Sequence, residues 1–335
     1  MKIAINGFGR IGRIFFRQAF GYKDIDIIAI NDLSNPDNLA YLLKYDSVYG
    51  RYKKNVSAKD GAIMVDGKEI KVLNEKDPAK LPWASLGVDV VVEATGVFES
   101  YDKAKPHLDA GAKRVVITAP AKDEGKTKIA TPNVGINFLS EGLITSNASC
   151  TTNATTPIAA VMLKNPGIKK AILNTVHGYT ATQGVVDSPT KGKDWRRGRA
   201  AAINLVPSST GAALVTAKAI PELLNKFDGV AIRVPVVSGS LVDFTFVAGR
   251  KTSVEEINNI FKEAARQPEW EGILAVTEEE TVSTDILGEP YGAIVDLQMT
   301  RVVDGDLVKI FSWYDNEWGY SAMLIKHIEA LKNLL

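Results

Sequence analysis

The chain has 335 residues, 45% of them apolar, and a formal charge of +1 from 40 basic and 39 acidic side chains. The length fits two domains, since a single core rarely grows past roughly 250–300 residues. The balanced charge excludes a global field that would attract nucleic acid or a membrane. One cysteine excludes an internal disulfide, and no apolar run approaches the roughly 18 residues of a membrane span. We therefore expect a cytoplasmic protein and assign no metal site.

The first 30 residues have the order of elements of a dinucleotide-binding βαβ unit. Apolar strands are predicted at residues 2–5 and 25–30, and apolar residues at helical spacing lie between them. Gly7, Gly9 and Gly12 form the pattern G-x-G-x-x-G directly after the first strand. These glycines would allow a tight turn, a close approach of the backbone to a pyrophosphate, and close packing of helix on strand.

The residues around this motif indicate which dinucleotide it binds. The N–H groups of Arg10 and Ile11 would face the phosphates at the helix N-terminus. Asp32 follows the second strand, 20 residues beyond the third glycine, where an acid accepts hydrogen bonds from the adenosine ribose. It would also repel a 2′-phosphate, so NAD is favoured over NADP. The alternative for Asp32 is a turn-forming residue before Pro36.

Strands and helices continue to alternate through the first half of the chain. Strands at 88–93 and 114–118 end near Thr95 and Thr118, and residues 53–72 have the turn signals of β-hairpins. Such alternation predicts a doubly wound parallel sheet of the Rossmann type, with a ligand crevice at the carboxyl ends of its strands.

The pattern changes after residue 150. Several later strands alternate apolar and polar residues, which predicts a mostly antiparallel sheet with helices on one face, an α+β domain. We assign residues 1–149 to a nucleotide-binding domain and 150–316 to a catalytic domain. The amphipathic helix at 317–335 is assigned to the first domain, although it could pack on either. Residues 178–203 form a long irregular stretch, and loops of this length are usually functional, lie at an interface or are disordered.

Cys150 is the candidate nucleophile, because hydroxyls surround it and a helix-like run follows it. A helix N-terminus favours the thiolate, whereas a lone cysteine is more often a small buried hydrophobe. His177 ends a strand at a polar corner and could form a thiolate–imidazolium pair with it, or only satisfy a local hydrogen bond. Pro157 leaves the start of the helix open. His107 is expected on a charged helix surface, and His327 in the C-terminal helix.

A set of hydroxyls and an arginine in the second half could bind phosphate oxyanions. The set comprises Thr180, Thr182, Ser208, Ser209, Thr210, Gly211 and Arg233. The alternatives are a capped helix start at 209–211 and a paired buried ion at Arg233. The residues alone favour these alternatives.

Taken together, the motifs resemble those of the phosphorylating glyceraldehyde-3-phosphate dehydrogenase family over nearly the whole chain. They lie at residues 5–13, 149–153, 177–180, 209–213, 233–236 and 313–320. The resemblance implies that D-glyceraldehyde 3-phosphate, NAD and phosphate give 1,3-bisphosphoglycerate and NADH through a hemithioacetal and a thioester on Cys150, with His177 as acid and base.

The same resemblance implies specific binding residues. For NAD they are Gly7, Gly9, Arg10, Ile11, Gly12, Asp32, Lys76, Thr95, Thr118 and Asn316. For the substrate phosphate they are Thr180, Thr182 and Arg233, and for the attacking phosphate Ser149, Thr151, Thr210, Gly211 and Arg197. It further implies a cytoplasmic homotetramer of glycolysis and gluconeogenesis in which the 178–203 loop lies at a subunit interface. Ser188 leaves the degree of NADP tolerance open.

Two rival functions remain. Erythrose-4-phosphate dehydrogenase uses a similar cysteine and histidine but hydrolyses its acyl enzyme. A catalytically idle NAD-binding scaffold would bind the cofactor without turnover, because function depends on sites rather than on fold.

Overall fold

The computed structural model describes residues 1–123, 125–131, 139–140, 142–190 and 192–335. The chain folds into two compact units, each with its own sheet. The first unit contains Met1–Ala130, the segment that ends at Ala148, and Leu324–Leu335, while the second contains Ser149–Met323. The interface loop expected at 178–203 lies in the second unit and is described except at residue 191.

The first unit is built on a nine-stranded sheet in the order β3-β4-β5-β2-β1-β6-β7-β9-β8. Its strands are β1 (Lys2–Asn6), β2 (Asp26–Asn31), β3 (Val56–Lys59), β4 (Ala62–Val65), β5 (Lys68–Leu73), β6 (Val90–Glu93), β7 (Arg114–Ile117), β8 (Lys128–Ile129) and β9 (Ile144–Ser146). Its helices are α1 (Arg10–Ala19), α2 (Pro36–Lys44), α3 (Trp83–Leu86) and α4 (Tyr101–Asp109).

The central strands β1, β2, β6 and β7 pair in parallel, as the Rossmann-type prediction requires. Their central residues are apolar and mostly buried, as expected of a parallel sheet that helices cover on both faces. β3, β4 and β5 form antiparallel hairpins, which confirms the turns predicted at 53–72. The carboxyl ends of β1, β2 and β6 therefore lie side by side, and the polar residues that follow them meet at one edge.

The second unit is built on a seven-stranded sheet in the order β11-β12-β10-β13-β16-β15-β14. Its strands are β10 (Ile168–Gly178), β11 (Val206–Ser209), β12 (Phe227–Val234), β13 (Ser240–Ala248), β14 (Leu274–Thr277), β15 (Ala293–Val303) and β16 (Leu307–Tyr314). Its helices are α5 (Cys150–Lys164), α6 (Ala212–Ala219) and α7 (Val254–Ala264), with α8 (Trp318–Leu331) running from this unit into the first.

Only the pairs β10–β12 and β14–β15 are parallel in this second sheet, so the mostly antiparallel prediction is confirmed. Alternate residues of β13 are buried against a core that contains Ile158 of α5 and Phe261 of α7. No described helix is long and apolar enough to cross a bilayer.

Two expectations for single residues need correction or refinement. His107 is fully buried rather than on a charged surface, because it shares the inward face of α4 with Ala104. Pro157 lies inside α5, so it does not delay the helix, which begins at Cys150. The last turns of α8 place Leu324 and Ile328 in the core of the first unit.

His327 of α8 is also buried in the first unit. Its Nδ1 lies 3.2 Å from Asn147 Oδ1 and its Nε2 lies 2.9 Å from Thr145 Oγ1. Because an amide oxygen only accepts, Nδ1 carries the proton and Nε2 accepts from the threonine hydroxyl. Burial lowers the pKa of His327 from 6.5 to about 3.

This shift predicts a specific loss of stability in acid. Between pH 6.5 and about 3 the unfolded chain binds a proton at His327 that the folded chain does not, so the free energy of unfolding falls as the pH falls. One such group contributes a slope of about 1.4 kcal/mol per pH unit inside this window. We expect His327→Gln to show a shallower dependence than the parent in denaturant unfolding at several pH values. If the free energy of unfolding fell with pH equally steeply in both proteins, the lowered pKa of His327 would be contradicted.

Candidate active site

Cys150 is the first residue of α5. Ser149 caps the helix, and its Oγ accepts a hydrogen bond from Thr152 N at 3.0 Å. The thiol is free and only partly buried. Its position at the helix N-terminus, at the positive end of the dipole, favours the thiolate, while the residue also packs against the core of the second unit. Its role as the nucleophile stays a prediction.

His177 faces Cys150 from the end of β10, with its Nε2 3.3 Å from Sγ. The parallel register of β10 and β12 pairs His177 with Arg233 on the neighbouring strand. One nitrogen of that guanidinium, Nη1, lies 2.6 Å from His177 Nδ1 and 3.1 Å from the carbonyl oxygen of Gly178. The structure therefore brings together three groups that are distant in sequence: Cys150 and His177 are 27 residues apart, and His177 and Arg233 are 56 residues apart.

The surroundings of these groups shift both pKa values. Burial raises the pKa of the Cys150 thiol, and the Arg233 guanidinium and Thr151 N–H oppose that rise. Burial, together with the Arg233 charge, lowers the pKa of His177 to about 3, and a hydrogen bond to the Gly178 carbonyl opposes the shift. The neutral thiol and imidazole are favoured in this arrangement, in contrast to the thiolate–imidazolium pair expected from sequence. An anion that neutralised Arg233 would raise the pKa of both groups, because Arg233 opposes the imidazolium and stabilises the thiolate.

Tyr314 is a part of the site that residue patterns did not single out. Its hydroxyl lies 2.9 Å from Thr151 Oγ1 on α5 and 2.8 Å from Thr175 Oγ1 on β10. The ring of Tyr314 also meets the His177 ring edge to face, with centroids 5.9 Å apart. This tyrosine ties the helix of the thiol to the strand of the imidazole. The only signal for it in the sequence was its place within the motif at 313–320.

The residues predicted for the substrate phosphate are two threonines that follow His177 in the chain and Arg233 on the neighbouring strand. Thr180 and Thr182 follow β10 and their hydroxyl oxygens are 2.9 Å apart. Arg233 lies beside His177 near the end of the neighbouring strand β12. Two hydroxyls and a guanidinium supply the donors that a phosphate dianion requires.

The residues predicted for the attacking phosphate already have partners in the protein. Thr151 is bonded to Tyr314, as described above. Thr210 Oγ1 accepts a hydrogen bond from Ala212 N at 3.2 Å, as expected if residues 209–211 cap the start of a helix. Gly211 is the residue directly before α6. Arg197 Nε lies 2.8 Å from Ser208 Oγ and 3.2 Å from Asp194 Oδ2. Their role in binding phosphate stays a prediction.

The first unit contains a cavity of about 870 Å³ at the carboxyl ends of β1, β2 and β6. Its lining includes five of the residues predicted for the cofactor: Gly7, Gly9, Asp32, Lys76 and Thr95. The volume is in the range of pockets that hold small organic ligands and cofactors.

The groups at this cavity fit a dinucleotide. Asp32 Oδ2 accepts from Phe8 N at 2.8 Å inside the glycine turn, which holds the carboxylate beside the motif. Its Oδ1 accepts from Ser34 N at 2.9 Å, so the turn-forming interpretation also holds. α1 begins at Arg10, and its first N–H groups point out of the helix N-terminus. The Arg10 side chain itself turns to Asp46, 2.5 Å away.

The other five predicted cofactor residues do not line this cavity: Arg10, Ile11 and Gly12 belong to α1, and the remaining two are Thr118 and Asn316. Thr118 follows β7, and its N and Oγ1 both donate to Glu93 O at 3.0 Å. Asn316 belongs to the second unit, where its Oδ1 accepts from Ser240 Oγ at 2.7 Å and Ser238 Oγ at 3.3 Å. Both serines orient the amide so that its NH₂ group points away from them.

Two glycines of the motif provide a matched test. A Cβ at Gly12 would lie 2.2 Å from Gly7 O, whereas a Cβ at Gly9 would meet no described atom within 4 Å. We expect Gly12→Ala to destabilise the first unit, by about 1–3 kcal/mol as overpacking does. Gly9→Ala should leave unfolding unchanged but weaken binding of NAD, because its methyl occupies space that the pyrophosphate needs. Equal NAD affinity in Gly9→Ala and the parent would contradict this placement of the phosphates.

Comparison with known proteins agrees with both units. The model of the glyceraldehyde 3-phosphate dehydrogenase NAD binding domain matches residues 1–101, and that of the glyceraldehyde 3-phosphate dehydrogenase C-terminal domain matches residues 149–316. Glyceraldehyde-3-phosphate dehydrogenase from Borreliella burgdorferi is 49% identical, with 99% of each chain covered.

Other relatives are similar over the same extent. The proteins named glyceraldehyde-3-phosphate dehydrogenase from Streptomyces coelicolor and glyceraldehyde-3-phosphate dehydrogenase 1 from Saccharomyces cerevisiae are each 47% identical. The first alignment covers 97% of this chain and 96% of the relative, and the second covers 98% of both. The chain therefore belongs to the glyceraldehyde-3-phosphate dehydrogenase family.

Proposed function

We propose that the chain oxidises D-glyceraldehyde 3-phosphate with NAD and inorganic phosphate to 1,3-bisphosphoglycerate and NADH. The observation that carries this proposal is the 3.3 Å contact between Cys150 Sγ and His177 Nε2 at the start of a helix. Membership of the family supports the substrate and the cofactor. The relatives described above are all named for this activity, so erythrose-4-phosphate dehydrogenase is not favoured.

In the first half-reaction, Cys150 sulfur attacks the aldehyde carbon and the carbonyl oxygen becomes a hydroxyl, giving a hemithioacetal. His177 Nε2 donates to this oxygen as negative charge develops on it and then takes the hydroxyl proton. NAD, when bound, accepts the hydride that leaves the same carbon. The products of this half-reaction are a Cys150 thioester, NADH and a proton held at Nε2.

In the second half-reaction, an oxygen of inorganic phosphate attacks the thioester carbonyl. The carbon–sulfur bond breaks and the sulfur leaves as a thiolate, which the N–H groups at the start of α5 and the Arg233 charge stabilise. The product is an acyl phosphate. The thioester intermediate keeps free energy that hydrolysis to a carboxylate would release.

The substrate phosphate has a second effect beyond binding. Thr180, Thr182 and Arg233 would hold it, and Ser149, Thr151, Thr210, Gly211 and Arg197 would hold the attacking phosphate. A phosphate dianion on Arg233 cancels part of the positive charge that lowers the pKa of His177. Substrate binding thereby favours the imidazolium that donates to the developing oxyanion, and it also raises the pKa of the Cys150 thiol, which Arg233 lowers.

Substitution of the nucleophile and base tests the proposal. We expect Cys150→Ser to bind NAD as the parent does and to lose nearly all turnover. His177→Asn should lower kcat by roughly 10²–10⁴-fold, the usual contribution of a general acid or base. The assay is the formation of NADH from glyceraldehyde 3-phosphate, with and without phosphate.

The same assay separates the rival functions. Phosphate should be required for sustained turnover, and erythrose 4-phosphate should be the poorer aldehyde. Wild-type rates in Cys150→Ser would refute the nucleophile. NAD binding without any turnover by the parent would leave the idle scaffold as the better interpretation.

The family resemblance further implies a cytoplasmic homotetramer. A reducing compartment suits an enzyme that depends on one free thiol. The loop at 178–203 and the residues after it expose large apolar side chains, with Val185 84%, Trp195 82% and Ile203 80% exposed. Apolar surface of this kind supports an interface between copies of the chain.

A pair of charged substitutions tests this interface. We expect Val185→Asp combined with Ile203→Asp to dissociate the tetramer, because burial of two carboxylates in an apolar contact is costly. Val254→Asp is the control, since Val254 is an exposed residue in the first turn of α7, where an acid is favourable. Sedimentation equilibrium measures the masses. A parent that sediments as a monomer, or a double variant that stays tetrameric, would contradict the proposed interface.

A further inference from the structure

A buried hydrogen-bond chain runs from α3 to the loop that lines the cofactor cavity. It consists of Trp83 on α3, His107 on α4, Glu93 at the end of β6, and Thr95 in the loop after β6. The first three side chains are at most 2% exposed. The reaction steps proposed above use none of these side chains, and among them only Thr95 is predicted to contact NAD.

The protonation of His107 follows from its partners. Trp83 Nε1 lies 3.0 Å from His107 Nδ1, and an indole N–H can only donate. Nδ1 must therefore be the acceptor. In the neutral ring the proton is then on Nε2, which lies 3.1 Å from Glu93 Oε2 and donates to it. The tryptophan thus selects the tautomer that presents a donor to the carboxylate.

Glu93 receives donors on both of its oxygens. Oε2 accepts from His107 Nε2 and from Asn6 Nδ2, the latter at 2.6 Å. The 3.3 Å approach of these two nitrogens to each other follows from their shared acceptor. Oε1 accepts from Thr95 N at 2.8 Å and from the Thr95 hydroxyl.

The chain continues into the wall of the cavity. Thr95 Oγ1 accepts from Val97 N at 3.0 Å, and both residues line the cavity with Ala94 and Phe98. The Phe98 ring meets the His107 ring edge to face at 6.1 Å. On the other side, Asn6 lines the same cavity and is the partner of Glu93. His107 therefore supports two parts of the wall without reaching the cavity itself.

We propose that His107 is a positioning residue for the cofactor: with its tautomer selected by Trp83, it holds Glu93 and through it the loop 94–98 against the dinucleotide. The proposal rests on the assignment of this cavity to NAD. A donor at Nε2 keeps the Glu93 carboxylate in one position, and that position orders Thr95 and Val97. Loss of this donor leaves the loop free to take several conformations, so NAD binding must then order it at a cost in affinity.

Three variants test the proposal. His107→Asn keeps an acceptor near Nδ1 for Trp83 but has no donor at the position of Nε2, whereas His107→Gln can place an N–H there. Trp83→Phe removes the indole donor and keeps a ring in the core. We expect His107→Asn to raise the Kd and KM for NAD by roughly 2- to 30-fold, the range for residues that act through a network. Trp83→Phe should act in the same direction, and His107→Gln should recover most of the loss.

Kinetic and binding readouts distinguish positioning from general damage. kcat at saturating NAD and the rate of Cys150 alkylation should stay within about twofold of the parent, because a positioning residue does not touch the reacting atoms. A factor of two corresponds to less than about 0.5 kcal/mol in the activation free energy. His327→Gln is the matched control, because it alters another buried histidine of the same unit whose ring nitrogens lie against Thr145 and Asn147, and neither of these residues lines the cavity. Its Kd for NAD should be that of the parent.

Calorimetric titration of cofactor-stripped protein with NAD gives the Kd directly, so the result does not depend on turnover with any aldehyde. Parent affinity in both His107→Asn and Trp83→Phe would overturn the proposal. Equal weakening in His107→Gln and His107→Asn, or in the His327→Gln control, would overturn it as well. If His107→Asn does not fold, Trp83→Phe alone decides. If the parent has no activity but His107→Asn and Trp83→Phe still bind NAD more weakly than the parent does, the proposed reaction is refuted and the role of His107 is supported.

Discussion

The register between β10 and β12 is the constraint on which the catalytic arrangement depends. It pairs His177 with Arg233, so the imidazole has a cation at Nδ1 and the thiol at Nε2. A shift of one residue would turn one of the two side chains to the opposite face of the sheet. The hydroxyl of Tyr314, between α5 and β10, then fixes the distance from the helix to the sheet.

This arrangement has two opposing electrostatic effects. Burial disfavours both charged forms, while Arg233 stabilises the thiolate and destabilises the imidazolium. Arg233 is also the residue proposed to bind the substrate phosphate. One guanidinium would then link the recognition of substrate to the pKa values of both reacting groups. In the first unit the corresponding link is the carboxyl group of Glu93, which joins buried side chains to the wall of the cofactor cavity.

Much of this could be predicted from local patterns in the sequence. The glycine motif and Asp32 lie within one βαβ unit, where spacing and geometry are tightly coupled. Alternation of apolar and polar residues distinguished the two sheets. The start of α5 at Cys150 was less certain because Pro157 is a strong local signal, yet the cap at Ser149 determined it.

The remainder depended on tertiary contacts that local patterns do not contain. Charged neighbours in α4 indicated a surface position for His107, but the helix turns that residue inward beside Ala104. Tyr314 meets Thr151 across 163 residues of sequence. The pKa values of Cys150 and His177 depend on burial and on a cation from another strand, so the residue types alone could not predict them.

The most direct measurement of the central claim is a rapid-mixing experiment without phosphate. The protein, NAD and glyceraldehyde 3-phosphate are mixed and NADH absorbance is followed. If Cys150 forms a thioester that only phosphate resolves efficiently, about one NADH per Cys150 appears in a burst and turnover then nearly stops until phosphate is added. A linear, phosphate-independent formation of NADH with no burst would contradict the account.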